Sequence, residues 1–303
     1  MTFTKNRLYI GIAIVFVVLI LFWLLFRDSA VTVETAETTR GQMLVTVDGE
    51  GKTRFRDKVT VNAPVSGKMS RIQIGEGDLI PKEYVITEVD PNPPTPRPPS
   101  ETENRPNPYA LKVYAPISGR VLRIFEKSER ILQAGTPIIE VGNPNTVEIV
   151  IDVLSTEAAQ IRAGSAVLVT DASSAEPIKA RVRIVEPQAF TKVSALGVEE
   201  QRVNIIADFL TKEISFGDNF RIDVRIIVWQ SENILKIPSS ALFREGEKWN
   251  VFVIESGNAK RREVKIGHQN SSESEVLEGL SEGETVILHP PNQLADGAPV
   301  AVQ

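Results

Sequence analysis

One stretch of this chain occurs twice, and that repetition limits the fold more than any other feature. Residues 61–89, VNAPVSGKMSRIQIGEGDLIPKEYVITEV, align without a gap to residues 113–141, VYAPISGRVLRIFEKSERILQAGTPIIEV, at a constant offset of 52, with ten of 29 positions identical. Each copy opens on Ala-Pro and Ser-Gly (Ala63-Pro64 and Ser66-Gly67; Ala115-Pro116 and Ser118-Gly119). Proline presets φ and glycine supplies positive φ, which predicts a tight turn. Met69-Ser70-Arg71-Ile72-Gln73-Ile74 then alternates apolar and polar residues, as a half-buried strand requires, and Gly75-Glu76-Gly77-Asp78 turns the chain again. One copy supplies about four short strands, too few to bury a two-sided core. Two copies facing each other make a flattened β sandwich.

Between the copies, Pro91 to Pro108 (PNPPTPRPPSETENRPNP) carries eight prolines in 18 residues. Such a segment neither pairs as a central strand nor forms a helix, and reads as an extended loop. A linker is the plain reading; a ligand for an aromatic groove of a partner is the alternative.

The N-terminus adds a membrane constraint. Leu8 to Phe26 is a run of 19 residues without a charge, with Lys5 and Arg7 before it and Arg27 and Asp28 after it. At about 1.5 Å per residue it spans roughly 28 Å, the thickness of a bilayer core. A cleaved signal peptide has a shorter apolar run and a small-residue cleavage site, and Ser29-Ala30 serves poorly as one. The run therefore predicts a retained transmembrane helix at 8–26, with residues 1–7 cytoplasmic by the positive-inside rule and everything after residue 27 outside the cytoplasm.

Composition narrows the function classes. The 303 residues carry a net charge of −5 with basic residues spread out, so nothing indicates nucleic-acid binding. The absence of cysteine excludes disulfides, thiol catalysis and a lipid-modified N-terminal cysteine. His268 and His289 are the only histidines, each in a loop-like context without helical metal-site spacing. Ser271-Ser272-Glu273-Ser274 reads as a polar turn, and Gly75-Glu76-Gly77 lacks the Lys-Ser/Thr of a phosphate loop. Carboxylates are scattered, so no acid–base pair stands out. Trp249, Phe252 and Phe243 fit packing in a small β domain better than a partner-facing patch. No catalytic, cofactor-binding or metal-binding residue is expected.

Ala63-Pro64-Val65-Ser66-Gly67 through Glu88-Val89-Asp90, and Ala115-Pro116-Ile117-Ser118-Gly119 through Gly135-Thr136-Pro137-Ile138-Ile139-Glu140-Val141, resemble the biotinyl/lipoyl-type half-motifs of membrane fusion proteins. These are the periplasmic adaptors of efflux pumps of the RND class and of HlyD-type secretion systems. The likeness continues through Thr146–Val153, a capped short helix at Ser155–Ile161, Ala163–Val167, Leu196–Val203 and Phe216–Val224. It is completed by Leu235–Leu242, Trp249–Ile254, Arg262–Gly267 and Val276–Val286. Each motif is weak alone; their order is specific.

The resemblance implies a mostly β fold after the N-terminal transmembrane helix. Strands from residues 27–58 would join two different domains, Ala30–Glu37 the membrane-proximal one and Gln42–Val47 the barrel. A split lipoyl-like β sandwich would occupy 59–90 and 109–142, a β-barrel domain 145–235 and a membrane-proximal β domain 236–303. It implies an adaptor on an inner-membrane transporter, RND or ABC with RND the closer fit, assembled as a homo-oligomer. The chain would be a single-pass protein of the bacterial inner membrane with its bulk in the periplasm. It departs from the family at 91–108, where the proline-rich loop stands in place of an α-helical hairpin. A loop of 18 residues reaches roughly 28 Å per limb, so contact with an outer-membrane channel does not carry over. A non-transport scaffold or regulator of a membrane partner is the competing class. A biotin- or lipoate-bearing carrier is disfavoured, because Asp90-Pro91 occupies the position of the carrier lysine and Lys68 lies in the wrong turn.

Overall fold

The computed structural model describes residues 30–91, 110–170, 176–211 and 216–303. The expected membrane helix at 8–26 and nearly all of the proline-rich loop lie outside them. No helix among the described residues is long and apolar enough to cross a membrane. The chain divides into two compact units, Thr46–Val228 and a second built from residues up to Val45 with Trp229–Gln303. Both are almost entirely β.

Two strands precede the repeat, β1 (Val31–Glu37) and β2 (Thr39–Phe55). The first copy then forms β3 (Lys58–Asn62), β4 (Gly67–Met69), β5 (Leu79–Ile80) and β6 (Val85–Asp90). The second forms β7 (Leu111–Tyr114), β8 (Gly119–Ile124), β9 (Arg130–Leu132) and β10 (Pro137–Gly142). These eight strands make two four-stranded sheets, ordered β3-β10-β8-β5 and β7-β6-β4-β9. Shifting the strands of one sheet by 52 positions reproduces the strand order of the other. The copies therefore do not face each other as separate layers: each sheet takes two strands from each copy. They enclose a single core to which equivalent positions of the two copies both contribute, among them Val61 and Val113, Ala63 and Ala115, Ile80 and Leu132, Ile86 and Ile138, and Val89 and Val141.

The interleaving explains several identities between the copies. Ser66 Oγ accepts a hydrogen bond from the Ala134 N–H at 2.9 Å, and Ser118 Oγ accepts one from the Lys82 N–H at 2.9 Å. Ala63 N–H donates to Thr136 O, and Ala115 N–H donates to Tyr84 O, both at 2.9 Å. Each bond runs from one copy to the other. Gly67 and Gly119 are fixed by close approach. A Cβ on Gly67 would lie 2.1 Å from Asp90 O, and one on Gly119 would lie 2.5 Å from Gly142 O. Symmetry fails at one turn, where Gly135 holds φ of 84° and its counterpart Glu83 holds 67° without being glycine.

The strand expected at 69–74 ends at Met69, whereas its counterpart β8 runs to Ile124. In the first copy Thr87 Oγ1 donates to Ser70 O at 2.7 Å, and the Ile72 N–H turns to Lys127 O at 3.1 Å. Side-chain and loop partners replace the ladder there, while Ile72 stays fully buried.

The barrel follows, from β11 (Val147–Leu154), α1 (Ser155–Ala158), β12 (Ala166–Thr170), β13 (Ile178–Val193), β14 (Glu199–Phe209) and β15 (Arg221–Pro238). Strand order is β12-β13-β14-β11-β2-β15, and β12 pairs with β15 to close the ring. Closure leaves no free sheet edge around the core. Inward positions are filled by Ile149, Ile151, Val167, Val169, Ile205, Val224 and Ile226, each almost wholly buried. Gly49 keeps β2 thin, since a Cβ there would meet Ile151 Cγ2 at 2.9 Å. The helix is shorter than the expected Ser155–Ile161 and is capped at Leu154, whose N–H donates to the Glu157 carboxylate at 3.3 Å.

The second unit contains β1 and the first part of β2 with β16 (Phe243–Glu245), β17 (Lys248–Glu255), β18 (Asn258–Gln269), β19 (Glu273–Glu278), β20 (Thr285–Leu288) and β21 (Val300–Val302). A 3-10 turn at Ser239–Ala241 follows Pro238. β1 pairs antiparallel with β20 and parallel with β21. β17 pairs with β16, β18 and β20, and β18 pairs with β19. Residues 42–45 of the expected barrel strand belong to this unit, and β2 pairs with β11 from Glu50 to Phe55. Both β2 and β15 run unbroken from one unit into the other.

Candidate interaction surfaces

The densest charge network of the barrel assembles from four strands. Glu148 on β11 stands opposite Arg54 on β2 and Asp208 on β14. Its side chain is 3% exposed and is met by Arg54 at 2.6 Å, by Arg56 at 3.2 Å and by Arg183. Arg56 and Arg183 also reach Asp208, at 2.5 and 3.1 Å. Burial pushes the Glu148 carboxyl upward, but Arg54, Arg56 and Arg183 outweigh it and hold the group below its ordinary value. Two carboxylates do meet here, which their scatter in the sequence hides. Guanidinium groups engage both side chains, and the Glu148 carboxylate acts as a charged brace between the strands.

A second network braces a projecting ribbon. Pairing of β11 to β14 stops at Leu154–Arg202, while β13 and β14 continue together to Val193–Glu199. At its base Asp152 takes Lys192 at 2.5 Å and Arg202 at 2.7 Å, and Arg202 also holds Glu200 at 2.8 Å. Burial raises the Asp152 carboxyl, but the two cations carry it below its usual range. The tip is apolar and bare: Val193, Leu196 and Val198 are 61, 91 and 58% exposed. Solvent-facing apolar side chains on a braced ribbon are suited to contact with another molecule.

In the second unit Phe252 is buried and stacks on Phe243 at 5.0 Å, and Trp249 packs half-buried under Arg244 at 4.9 Å. The aromatics are thus mainly packing, as the sequence suggests. Phe243, Phe252 and Leu294 still floor a cleft of about 500 Å³ rimmed by Arg244, Glu245, Arg261 and Asp296. His268 stands on β18 and not in the loop expected for it. Its ring stacks on Trp229 at 3.8 Å, and both its Nδ1 and its backbone N–H lie 2.9 Å from Glu275 Oε2. Burial raises the Glu275 carboxyl, and these contacts with His268 more than reverse that. His289 lies in a turn with φ of 45°, its N–H donating to Ser240 O. Asn270 Oδ1 accepts from the N–H groups of Ser272 and Glu273, so the turn sits at 270–273. The polar turn expected at Ser271–Ser274 is met only in part, because Glu273 and Ser274 begin β19 and Ser274 is fully buried. Lys68 pairs with Glu129 at 2.5 Å. Among the described residues no three His, Cys, Asp or Glu side chains converge as a metal site.

Residues 234–302 match the family model described as the YknX C-terminal permuted SH3-like domain. YknX of Bacillus subtilis, named as an efflux system component, is 25% identical over 194 residues, 63% of this chain and 52% of its own length. The chain thus spans about half the length of that relative. The macrolide export protein MacA of Escherichia coli O157:H7 is 22% identical over 367 aligned positions, covering 94% of this chain and 96% of its own. The crystal structure of MacA from Actinobacillus actinomycetemcomitans superposes with a TM-score of 0.63 at 19% identity, over 84% of this chain and 99% of that one. The resemblance carried by the motifs is borne out: the chain has the MacA fold, and its sequence relatives are named for efflux and export.

Proposed function

We propose that this chain is a membrane fusion protein, the periplasmic adaptor of an inner-membrane efflux or secretion transporter, and not an enzyme. One observation carries the reading: the ordered motifs of the sequence fall on a fold shared with MacA over 84% of the chain. In this reading the interleaved sandwich is the split lipoyl-like domain, and the unit containing Trp229–Gln303 is the membrane-proximal domain. The apolar run 8–26 anchors the chain in the inner membrane, with the β domains in the periplasm. Several copies assemble side by side on the transporter and couple its cycle to the export path. Such a task needs interfaces and stiff elements, which the ion-pair networks and the bare ribbon tip supply.

The proline-rich segment 91–108 favours a second reading, a scaffold or regulator without a conduit, because it replaces the arm that would reach an outer-membrane channel. Detergent extraction and purification of the tagged protein from its host decides between them. An adaptor co-purifies with a transporter subunit, and its deletion lowers resistance to an exported compound. Recovery without any transporter, together with unchanged susceptibility, sinks the adaptor. Alkaline phosphatase fused after Gln303 is expected to be active; an inactive fusion reverses the topology.

A further inference from the structure

The sandwich and the barrel are joined by two chain segments, Arg56-Asp57 leading out of β2 and Asn143–Thr146 leading into β11. The segments are bonded to each other: Arg56 N–H donates to Thr146 O at 2.8 Å and Asn143 N–H to Asp57 O at 2.9 Å. Beside them lies the loop 216–220, which precedes β15. Thr53, 1% exposed, pins that loop by donating from Oγ1 to Gly217 O at 2.7 Å and accepting from the Phe220 N–H at 2.9 Å. Asn219 takes a φ of 61°, and its N–H donates to Thr53 O at 2.7 Å. Asp218 is thereby held rigidly over the joint. Its Oδ1 accepts from the Phe55 N–H at 2.8 Å, and its Oδ2 meets Lys58 Nζ at 3.0 Å. The same ammonium lies 3.5 Å from Glu140 on β10. Lys58 begins the first strand of the sandwich, Glu140 belongs to its neighbouring strand, and Asp218 belongs to the barrel.

We propose that Lys58 is an electrostatic latch, which holds the sandwich in one setting on the barrel by spanning Glu140 and Asp218 across the joint. The two connectors and the buried Phe55 ring beside Gly142 set the crossing, and what freedom they leave is to twist and bend about it. A charge held by one body and gripped by a fixed carboxylate of the other removes that freedom, and it is removable without cutting a backbone bond. The inference concerns the joint itself and stands whether or not the chain is an adaptor.

The chain contains no cysteine, so paired spin labels go in without background. Cysteines at exposed Ser128 of the sandwich and Lys179 of the barrel, in the full-length protein in detergent, report the distance between the two bodies by pulsed electron resonance. The latched protein gives one narrow distance distribution. Lys58→Met and Asp218→Asn each broaden it, lowering the ratio of latched to displaced joint about fivefold, the scale of a partly exposed ion pair. Asp218→Asn keeps an oxygen for the Phe55 N–H and removes only the charge. Lys58→Arg restores the narrow distribution. Salt at 1 M broadens the wild type and leaves Lys58→Met unchanged, which keeps the question decidable if a variant fails to fold. A broad distribution in the wild type, or a narrow one that survives high salt, Lys58→Met and Asp218→Asn, overturns the proposal.

Discussion

Replacing Gly67 by alanine tests the interleaved sandwich at its tightest point. The added Cβ would sit 2.1 Å from Asp90 O, 2.6 Å from Asp90 C and 2.9 Å from Pro91 Cα. All three atoms are backbone, so no flexible side chain can swing aside, and the two strands must part by about 1 Å to reach ordinary contact. Overpacking of this kind costs typically about 1–3 kcal/mol. The strain falls on the pairing of Lys68 with Asp90 and Met69 with Val89, where each lost hydrogen bond adds roughly 1 kcal/mol. Stiffening of the unfolded chain by alanine returns about 0.4–1 kcal/mol. The net loss is roughly 2–3 kcal/mol, or about 4–12 °C in the melting of the unit Thr46–Val228 that contains the sandwich. Thermal and urea unfolding of the full-length protein in detergent, followed by far-ultraviolet circular dichroism, measures it. Gly119→Ala is expected to behave alike but more mildly, since its nearest contact is 2.5 Å. Gly77→Ala is the control with nothing within 4 Å and only its φ of 93° to strain. A Gly67→Ala protein within about 0.5 kcal/mol of the wild type, or one less affected than Gly77→Ala, refutes the close approach.

Glu83→Gly is expected to stabilise the sandwich by roughly 0.5–1 kcal/mol, because the left-handed backbone costs a non-glycine residue more than glycine loses in chain entropy; a lower melting temperature contradicts this. Ser66→Ala and Ser118→Ala each remove one cross-copy hydrogen bond, costing about 1 kcal/mol, with faster amide exchange at Ala134 and Lys82 respectively. Exchange confined to the mutated copy's own amides argues against interleaving. Glu148→Gln leaves Arg54, Arg56 and Arg183 facing a neutral group and is expected to cost about 2–3 kcal/mol at pH 7. The Glu148 carboxyl is lowered on folding, so its contribution is complete above the unfolded value of about 4.3 and fades as the pH falls through the folded one. Wild-type and Glu148→Gln stabilities should therefore converge on acidification below about pH 4; a gap that stays constant is incompatible with an ionised brace.

The strand-forming segments of the repeat were legible because alternation and Ser-Gly turns act over a few residues. Which strands pair was not legible. Hydrogen bonds such as Ser66 with Ala134 join positions 68 apart, and two copies facing each other satisfy the same local pattern as two copies interleaved. The early end of β4 escaped for a related reason, since Thr87 and Lys127 supply partners from elsewhere in the chain. Glu148 looks like any polar residue of an amphipathic strand. Its burial appears only once β2, β11, β13 and β14 stand side by side and bring three arginines to it. The boundary within β15 is likewise invisible, because the strand runs unbroken through Val228-Trp229, and the turn-favouring Ser231 and Asn233 beyond it stay extended.

Because both sheets need both copies, a molecule holding one copy would complete the same sandwich only by finding a second molecule. The covalent link at 91–108 thus acts as a tether between two complementary partners that already recognise each other through their backbones. A tether contributes local concentration, and its entropic cost grows only slowly, by about 0.6 kcal/mol per doubling of length. Insertions and deletions at this point therefore leave the sandwich nearly untouched. That makes it the place in the fold where a lineage can lengthen, shorten or exchange an appendage without rebuilding anything else.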